Sequence, residues 1–282
     1  MINAYFKSSR AIIKIIVNKE DYNRLIKDEF LYSYIPSLSI GTYKKSDAIV
    51  ELKKDKTNYI EFNYPYIVYH YTNFNSKDII SLIEYIFERA RQEKNIICIH
   101  GAASIYDNKL VVAWGGTTGM GKTTFALELS KYGEFYSDEK VLLDLDKVMG
   151  VGSIKNQYIS NDYWKKLYNT NSPYIKLANT KKEKYKINLL IHPIICNSND
   201  YVLDKWDNDK FLWHLYEESS RKIRGTSRLF FDKNYPARSL DSFELASKRL
   251  ELIKKFVHKV PCIYFKGNIE NALKEIFNIH NK

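Results

Sequence analysis

The sequence predicts a mixed α/β protein, with a β-rich first part followed by a core in which strands alternate with helices. Three observations predict this class. Apolar residues alternate with a period of two over residues 1–75, strand and helix patterns alternate from about residue 94, and a glycine-rich motif lies between an apolar strand and a helix. With 45% hydrophobic and 27% charged residues, the 282-residue chain has the composition of a globular protein with a buried core.

Residues 1–93 are expected to form a β-rich lobe that ends in a helix. Period-two runs rich in Ile, Val and Tyr predict antiparallel strands. These runs lie at 11–17, 48–53, 59–64 and 66–71. The final helix is predicted from Ser76, taken as its N-cap, to Glu93, because apolar residues recur there at helical spacing.

Residues 94–282 are expected to form a second domain of α/β type. Apolar runs predict strands at 95–100, 110–115, 141–146, 187–195 and 261–265. Amphipathic segments predict helices at 122–132, 207–219, 241–258 and from Asn268 onward. Two histidines in these segments, His192 and His214, are interpreted as structural. Residues 147–220 match no functional pattern, so we expect acceptor specificity to reside there.

Composition argues against a disulfide framework and a membrane protein. The three cysteines, Cys98, Cys196 and Cys262, lie far apart in apolar runs, which favours buried free thiols. No run approaches the roughly 18 apolar residues of a membrane span, and the N-terminus has no small-residue cleavage site. The sequence therefore predicts a cytoplasmic protein that does not interact with membranes.

The net charge of +11 predicts attraction to anions. The candidates are a nucleotide, an acidic protein or peptide, and nucleic acid. The alternative is a solvated lysine surface without a specific partner. Charge alone does not choose among them.

The glycine-rich motif is the most specific feature of the sequence. It matches the P-loop (Walker A) pattern G-x-x-x-x-G-K-[ST] without exception, and it reads Gly116-Thr117-Thr118-Gly119-Met120-Gly121-Lys122-Thr123. The glycines permit a tight turn, and the loop N–H groups and helix N-terminus can hold phosphates. Lys122 is expected to reach the β- and γ-phosphates, and the Thr123 hydroxyl to bind Mg²⁺. We predict a site for ATP, with GTP as the alternative, that also includes Thr124.

A nucleotide site of this kind needs a carboxylate for the metal and, in a kinase, a base near the acceptor hydroxyl. Two sets of residues qualify. One is the pair Asp138 and Glu139, and the other is Asp144 or Asp146 in an apolar strand that looks like an ordinary Walker B strand. The residues alone leave both sets open, and each can also be a solvated carboxylate at a turn or strand end.

The segment 99–141 resembles the catalytic domain of the HPr kinase/phosphorylase family. In that family a His-Gly pair precedes the strand and P-loop, an Ala-Leu-Glu-Leu helix follows, and a Gly leads to an Asp-Asp-Arg-Val run. The matching residues here are His100-Gly101, Ala126-Leu127-Glu128-Leu129, Gly133 and Asp138-Glu139-Lys140-Val141. The last run is Asp-Glu-Lys rather than Asp-Asp-Arg, so the chain resembles a divergent member of the family.

The resemblance implies a P-loop kinase core of the type shared with phosphoenolpyruvate carboxykinases. It implies that Asp138 is the base toward an acceptor hydroxyl, that Glu139 and Asp138 face the metal with Thr123, and that His100 lies at the active site. A structural histidine is the alternative for His100. It also implies that the chain forms a homo-oligomer.

A second motif, Lys222-Ile223-Arg224-Gly225, resembles the family's other signature, although Ser227 replaces its second glycine. Arg224 is therefore expected to act with Arg221, Lys222 and Arg228 as a clamp for phosphate or for an acidic acceptor, because guanidinium groups suit phosphate oxygens. The alternative is a solvated basic face.

The sequence therefore predicts an ATP-dependent kinase that transfers the γ-phosphoryl group to a hydroxyl. Ser or Thr of a small protein or precursor peptide is the expected acceptor, with residues 1–93 as a docking lobe. A kinase of a small molecule or of a nucleic-acid hydroxyl is one alternative. A nucleotide-binding switch without transfer activity is another.

Overall fold

The computed structural model describes residues 1–116, 118–153, 156–158, 174–176, 184–225, 229–230 and 235–280. These residues form a mixed α/β protein with two large mixed sheets, one two-stranded sheet and seven helices. The predicted α/β class is confirmed.

The chain divides into two compact units, each assembled from three segments. The first unit contains the described residues of Met1–Lys94, Ile154–Leu177 and Arg221–Leu245. The second contains those of Asn95–Ser153, Ala178–Ser220 and Ala246–Lys282. The sequence predicts a single domain boundary between residues 93 and 94. In the structure, the first unit also includes two later segments that belong to the predicted second domain.

The first unit is built on a six-stranded sheet with the order β3-β1-β2-β4-β6-β5. Its elements are β1 Ile2–Ser8, β2 Ala11–Val17, α1 Lys19–Lys27, α2 Glu29–Tyr34, β3 Leu38–Gly41, β4 Ala48–Lys54, β5 Tyr59–Asn63, β6 Tyr66–Tyr71 and α3 Ser76–Glu93. The prediction of antiparallel strands is wrong for two pairs, because β2–β4 and β4–β6 are parallel. Parallel neighbours require a crossover connection, and between β2 and β4 it contains α1 and α2.

Helix α3 packs its apolar stripe into the core of the first unit. The predicted bounds are confirmed, but the N-cap is Asn75 rather than Ser76: its side chain accepts hydrogen bonds from the N–H groups of Lys77 and Asp78. Near the other end of α3, the fully buried Arg91 donates hydrogen bonds to the carboxylates of Glu84 and Glu88. A small antiparallel pair, β12 Asn156–Tyr158 and β13 Tyr174–Lys176, belongs to the second segment of this unit.

The second unit is built on an eight-stranded sheet, whose main path is β11-β10-β7-β8-β14-β16-β15. The elements that lie wholly or mostly in this unit are β7 Ile96–Tyr106, β8 Lys109–Trp114, α4 Lys122–Ser130, β9 Glu134–Ser137, β10 Lys140–Asp144, β11 Met149–Gly152, β14 Tyr185–Ile195, β15 Val202–Lys205, α5 Asn208–Arg221, α6 Phe243–Val257, β16 Cys262–Gly267 and α7 Ile269–His280. Strands β8, β14 and β16 are parallel neighbours, so their carboxyl ends lie at one edge of the sheet.

Two additional pairings complete this sheet. Strand β9 pairs with β7, and β11 pairs with β14 as well as with β10. Strands β7, β8, β14, β11 and β10 therefore form a closed circuit of paired strands.

Helices cover both faces of the second sheet. Alternate residues of β8 point to opposite faces, as the period of a strand requires. Val111 and Ala113 pack in one cluster with residues of α4 and α7, whereas Val112 and Trp114 pack in another with residues of α5 and α6. In the part of the chain that is described, no helix is both long and apolar enough to cross a membrane.

Candidate functional site

The glycine-rich loop connects Trp114, the last residue of β8, to Lys122, the first residue of α4. Gly119 and Gly121 have φ angles of +84° and +88°, in the left-handed region that favours glycine. Gly121 also lacks space for a side chain, because an added Cβ would lie 2.5 Å from the Cβ of Ile195, whereas at Gly119 nothing lies within 4 Å. Both glycines are therefore required by the backbone, and Gly121 by packing as well.

Gly121 is the N-cap of α4, and its carbonyl accepts the first helical hydrogen bond from the N–H of Phe125 at 2.8 Å. Within the described chain no side chain caps this helix. The first-turn N–H groups, which have no helical partners, and the helix dipole together favour an anion at this position. Of the remaining predicted loop residues, Gly116 and Thr118 are exposed, Met120 is buried and Thr124 is half-buried, while Thr117 lies outside the described residues.

The carboxyl end of β14 contacts both ends of the loop. The Ile195 N–H donates to the Met120 carbonyl at 3.0 Å. At the other end, a Cβ on Gly115 would lie 2.9 Å from Cε1 of His192. Burial lowers the pKa of His192 to about 4, with the charges of His214, Lys122 and Lys210 acting in the same direction.

The Thr123 hydroxyl donates a hydrogen bond to Asp138 Oδ1 at 2.9 Å. Asp138 lies in the turn between β9 and β10 and is buried, with 7% of its surface exposed. Burial and the charge of Glu139 raise the Asp138 pKa to about 6, although hydrogen bonds from the Glu139 N–H and Thr123 and the charge of Lys122 act in the opposite direction. The fold thus places a buried carboxylate against the first turn of α4.

Lys122 is buried beside three carboxylates. Burial lowers its pKa below the ordinary lysine value, while the charges of Glu139, Asp138 and Glu218 act to raise it. The side chain therefore lies in buried surroundings that contain acidic groups, at the start of α4.

His100 lies across the β7–β10 pairing from Lys140. Its Nδ1 is 3.1 Å from the Glu139 carbonyl oxygen and 3.6 Å from the Glu139 carboxylate. Since a carbonyl only accepts, this contact favours the tautomer with a proton on Nδ1. Glu139 itself has a φ angle of +61°, and this left-handed backbone turns its carbonyl toward the ring.

Sequence reasoning missed Glu218. Its Oε1 accepts a hydrogen bond from the His100 N–H at 3.2 Å, and only 6% of its surface is exposed. The residue lies on α5, far from the motifs in sequence. Helical spacing from Phe211 and Leu215 places Glu218, but not Glu217, on the buried face of the helix, although nothing in the sequence indicates its contact with His100.

One predicted set of residues, Asp144 and Asp146, is not at this place, and the clamp predicted around Arg224 stays a prediction. Asp144 lies at the other end of β10 from the Asp138 turn, opposite Ile96, and the strand between Lys140 and Asp144 is about 13 Å long. Its carboxylate accepts the N–H of Lys147, and Asp146 is exposed. Arg224, also exposed, belongs to the first unit together with Arg221 and Lys222, and Ser227 and Arg228 lie outside the described residues.

The residues around Thr123 are suited to a magnesium ion. Mg²⁺ prefers oxygen ligands and keeps waters and substrate phosphates in its shell, so it needs only one or two protein carboxylates. The Thr123 hydroxyl and Asp138 carboxylate are hard oxygen donors in contact, and Glu139 is adjacent. Among the described residues there is no group of three or more His, Cys, Asp or Glu side chains that could hold a metal by itself.

No family model matches the chain, and no curated protein is significantly similar to it. The interpretation of the site therefore depends on the residues of segment 99–141 and on the geometry described above.

Proposed function

We propose that the chain is a Mg²⁺-dependent kinase that binds ATP at the glycine-rich loop and transfers its γ-phosphoryl group to a hydroxyl. The observation that supports it most directly is the Thr123–Asp138 hydrogen bond at the start of α4. It unites the end of the P-loop motif with the carboxylate that the resemblance to HPr kinases assigns as base. The proposal includes the P-loop kinase core that this resemblance implies.

The loop supplies the binding half of the reaction. Backbone N–H groups at the start of α4 would hold the phosphates, and the Lys122 ammonium would neutralise their charge. Thr123, Asp138 and Glu139 would hold Mg²⁺, which when bound neutralises charge on the phosphate oxygens. His100 would stabilise the Glu139 turn through its Nδ1.

Asp138 supplies the proton-transfer half. In the metal-free site the Asp138 carboxyl, with a pKa of about 6, is mostly ionised at pH 7 and can accept a proton. The bond between the γ-phosphorus and the oxygen bridging to ADP breaks as the acceptor oxygen attacks. The proton of that hydroxyl passes to the Asp138 carboxylate.

We propose Ser or Thr of a small protein or peptide as the acceptor. A small-molecule or nucleic-acid hydroxyl is the alternative suggested by the net charge of +11. Salt discriminates the two macromolecular acceptors, because binding to nucleic acid weakens steeply as salt rises.

The test is transfer from γ-labelled ATP with Mg²⁺, using candidate peptides encoded beside the gene as acceptors. We expect label on one acceptor hydroxyl with wild type and with the exposed-carboxylate control Asp146→Asn. We expect Lys122→Ala to lose nucleotide affinity, and Asp138→Asn to keep affinity but lose transfer. Tight ATP binding without transfer or hydrolysis would leave a nucleotide-binding switch and exclude the kinase.

A further inference from the structure

The six-stranded sheet of the first unit has an outer face that the described helices of this unit leave uncovered. Helices α1, α2 and α3 pack with one set of alternate strand residues, which includes Phe6, Ile13 and Val50. The residues between them, such as Tyr5 and Lys14, therefore point to the outer face. These side chains stay partly exposed, so a partner can reach them.

One half of the outer face brings tyrosine and lysine side chains together. Tyr5 of β1 lies between Gly41 of β3 and Lys14 of β2 in the strand register. A Cβ on Gly41 would lie 3.6 Å from the ring of Tyr43, so this ring folds back over the glycine onto the outer face. The Tyr5 and Tyr43 rings meet edge to face with centroids 6.5 Å apart. The Lys7 ammonium lies 5.7 Å from the centroid of Tyr43.

This half carries positive charge that the described chain does not neutralise. Two lysines of the outer face and two exposed lysines that follow Tyr43 make up the set Lys7, Lys14, Lys44 and Lys45. None of the four forms an ion pair with a described residue. The single carboxylate of the β3–β4 loop, Asp47, is already bonded to the Lys94 ammonium at 2.9 Å and to the Ile12 N–H at 2.7 Å. We call these four lysines, Tyr5 and Tyr43 the basic–aromatic patch.

The charges at the other half of the same sheet are paired with one another. Glu51 lies 3.4 Å from the Lys53 ammonium. His70 lies between the carboxylates of Asp55 and Glu61, with its ring nitrogens 2.9 and 2.8 Å from them. Of the two halves, the basic–aromatic patch is therefore the one that attracts an anion.

We propose that the basic–aromatic patch binds single-stranded nucleic acid. Lysine ammonium groups neutralise phosphates along a strand, and tyrosine rings provide surfaces on which unpaired bases stack. An acidic peptide would use the lysines alone, and in a duplex the bases are already stacked on one another. The inference goes beyond the proposed function of the loop, and it concerns residues of the first unit only.

The test measures binding of a fluorescein-labelled oligothymidylate of about twelve nucleotides to the nucleotide-free full chain. Fluorescence anisotropy at several salt concentrations gives the affinity and its salt dependence. The variants are Lys14→Gln, Tyr5→Leu and Tyr5→Phe. Lys53→Gln and Tyr66→Leu, on the other half of the same face, are the matched controls. Thermal unfolding of each variant checks that it folds, and an oligoglutamate with the same label tests the acidic-peptide alternative.

The logarithm of the binding constant should fall with the logarithm of the salt concentration with a slope of about −3, since each of four phosphate contacts contributes about −0.7. Lys14→Gln should make this slope less steep by about 0.7. Tyr5→Leu should weaken binding by about fivefold or more without changing the slope, because it removes stacking and no charge. Tyr5→Phe keeps the ring and should match wild type, as should both controls.

Four results overturn the inference. One is the absence of saturable oligothymidylate binding at low salt. The second is an equal effect of Lys14→Gln and Lys53→Gln on the slope. The third is a folded Tyr5→Leu variant with wild-type affinity, which would show that no base stacks there. The fourth is oligoglutamate binding that is as tight as oligothymidylate binding and equally sensitive to Lys14→Gln, which would assign the patch to an acidic peptide. All these measurements omit ATP, so failure of the proposed kinase would leave them unchanged.

Discussion

Gly121 and Gly119 provide a matched pair of substitutions in one loop. Both have left-handed backbones, with φ angles that differ by only 4°. They differ in their surroundings, because a Cβ on Gly121 would lie 2.5 Å from Ile195 Cβ and 2.6 Å from its Cγ1, whereas a Cβ on Gly119 meets nothing within 4 Å. Comparing Gly121→Ala with Gly119→Ala therefore separates the cost of backbone strain from the cost of the contact.

The expected magnitudes follow from these two terms. Placing alanine in the left-handed region costs about 1–2 kcal/mol, which is the whole expected loss of stability for Gly119→Ala. Gly121→Ala adds an overpacking cost of about 1–3 kcal/mol, because Ile195 Cβ is fixed to its backbone and cannot rotate away. We therefore expect a total loss of about 2–5 kcal/mol for Gly121→Ala.

The assay is urea unfolding of the nucleotide-free protein, followed by tryptophan fluorescence, with the free energy of unfolding extrapolated to water. A double-mutant cycle with Ile195→Gly, which removes both the Cβ and the Cγ1 that the new methyl group would meet, tests the identity of the neighbour. The two substitutions should be less destabilising together than the sum of their separate costs, by about 1–3 kcal/mol. Equal losses for the two glycine variants, or strictly additive costs in the cycle, would refute the reasoning.

Three further predictions concern buried charges. The Asp138 pKa rises from 3.8 to about 6 on folding, so its buried charge does not destabilise the fold below pH 4 and destabilises it fully above pH 6. As pH rises from 4 to 6, the free energy of unfolding of metal-free Asp138→Asn should therefore increase by about 2–3 kcal/mol relative to wild type. Urea unfolding at several pH values measures this difference. A difference that does not change with pH, or the same pH-dependent difference in the exposed control Asp146→Asn, contradicts the prediction. The pKa of His192 is lowered to about 4, so the stability that its neutral form supplies above pH 6.5 is lost as pH falls toward 4. Thermal unfolding of His192→Phe should therefore show a smaller loss of stability over this pH range than wild type. The exposed control His258→Gln should lose as much stability as wild type. Arg91→Leu leaves buried carboxylates unpaired and should cost about 3–5 kcal/mol by urea unfolding, and a loss below about 1 kcal/mol would show that they are not in a low-dielectric site.

Periodicity predicted many of the longer elements of the fold, although β1 was missed and β7 extends six residues beyond its predicted end. Helix α3, the strands β8, β14 and β16, and helices α4 to α7 all lie within a few residues of their predicted positions. Each has a sustained apolar stripe or a continuous apolar run, which local sequence specifies.

The short helices α1 and α2, of nine and six residues, were missed because helical periodicity is recognised over longer segments. Two cap signals mark them: Asn18 accepts the N–H of Asp21, and Asp28 accepts the N–H of Phe30. The parallel pairing of β2, β4 and β6 was also missed, since strand direction depends on these crossovers rather than on alternation. The three-segment composition of each unit is likewise a tertiary property.

Some parts of the candidate site could likewise be predicted from local sequence, whereas others depend on tertiary contacts. The glycine-rich loop is contiguous in sequence, so its motif and flanking strand and helix could be predicted together. The choice between Asp138 and Asp144 needed a resemblance, and the structure places the Asp138 carboxylate against Thr123. Glu218 meets His100 across 118 residues of chain, and no local pattern indicates such a contact.

The closed circuit of five strands determines which parts of the second unit can rearrange. Strand β8, from which the glycine-rich loop emerges, is hydrogen-bonded to β7 on one side and β14 on the other, and β10 and β11 join these two neighbours to each other. Separating the strands at the base of the loop would break two hydrogen-bonded seams at once. The closed circuit of paired strands therefore resists deformation as a unit. Any movement that accompanies ligand binding has to occur in the segments that extend from these strands.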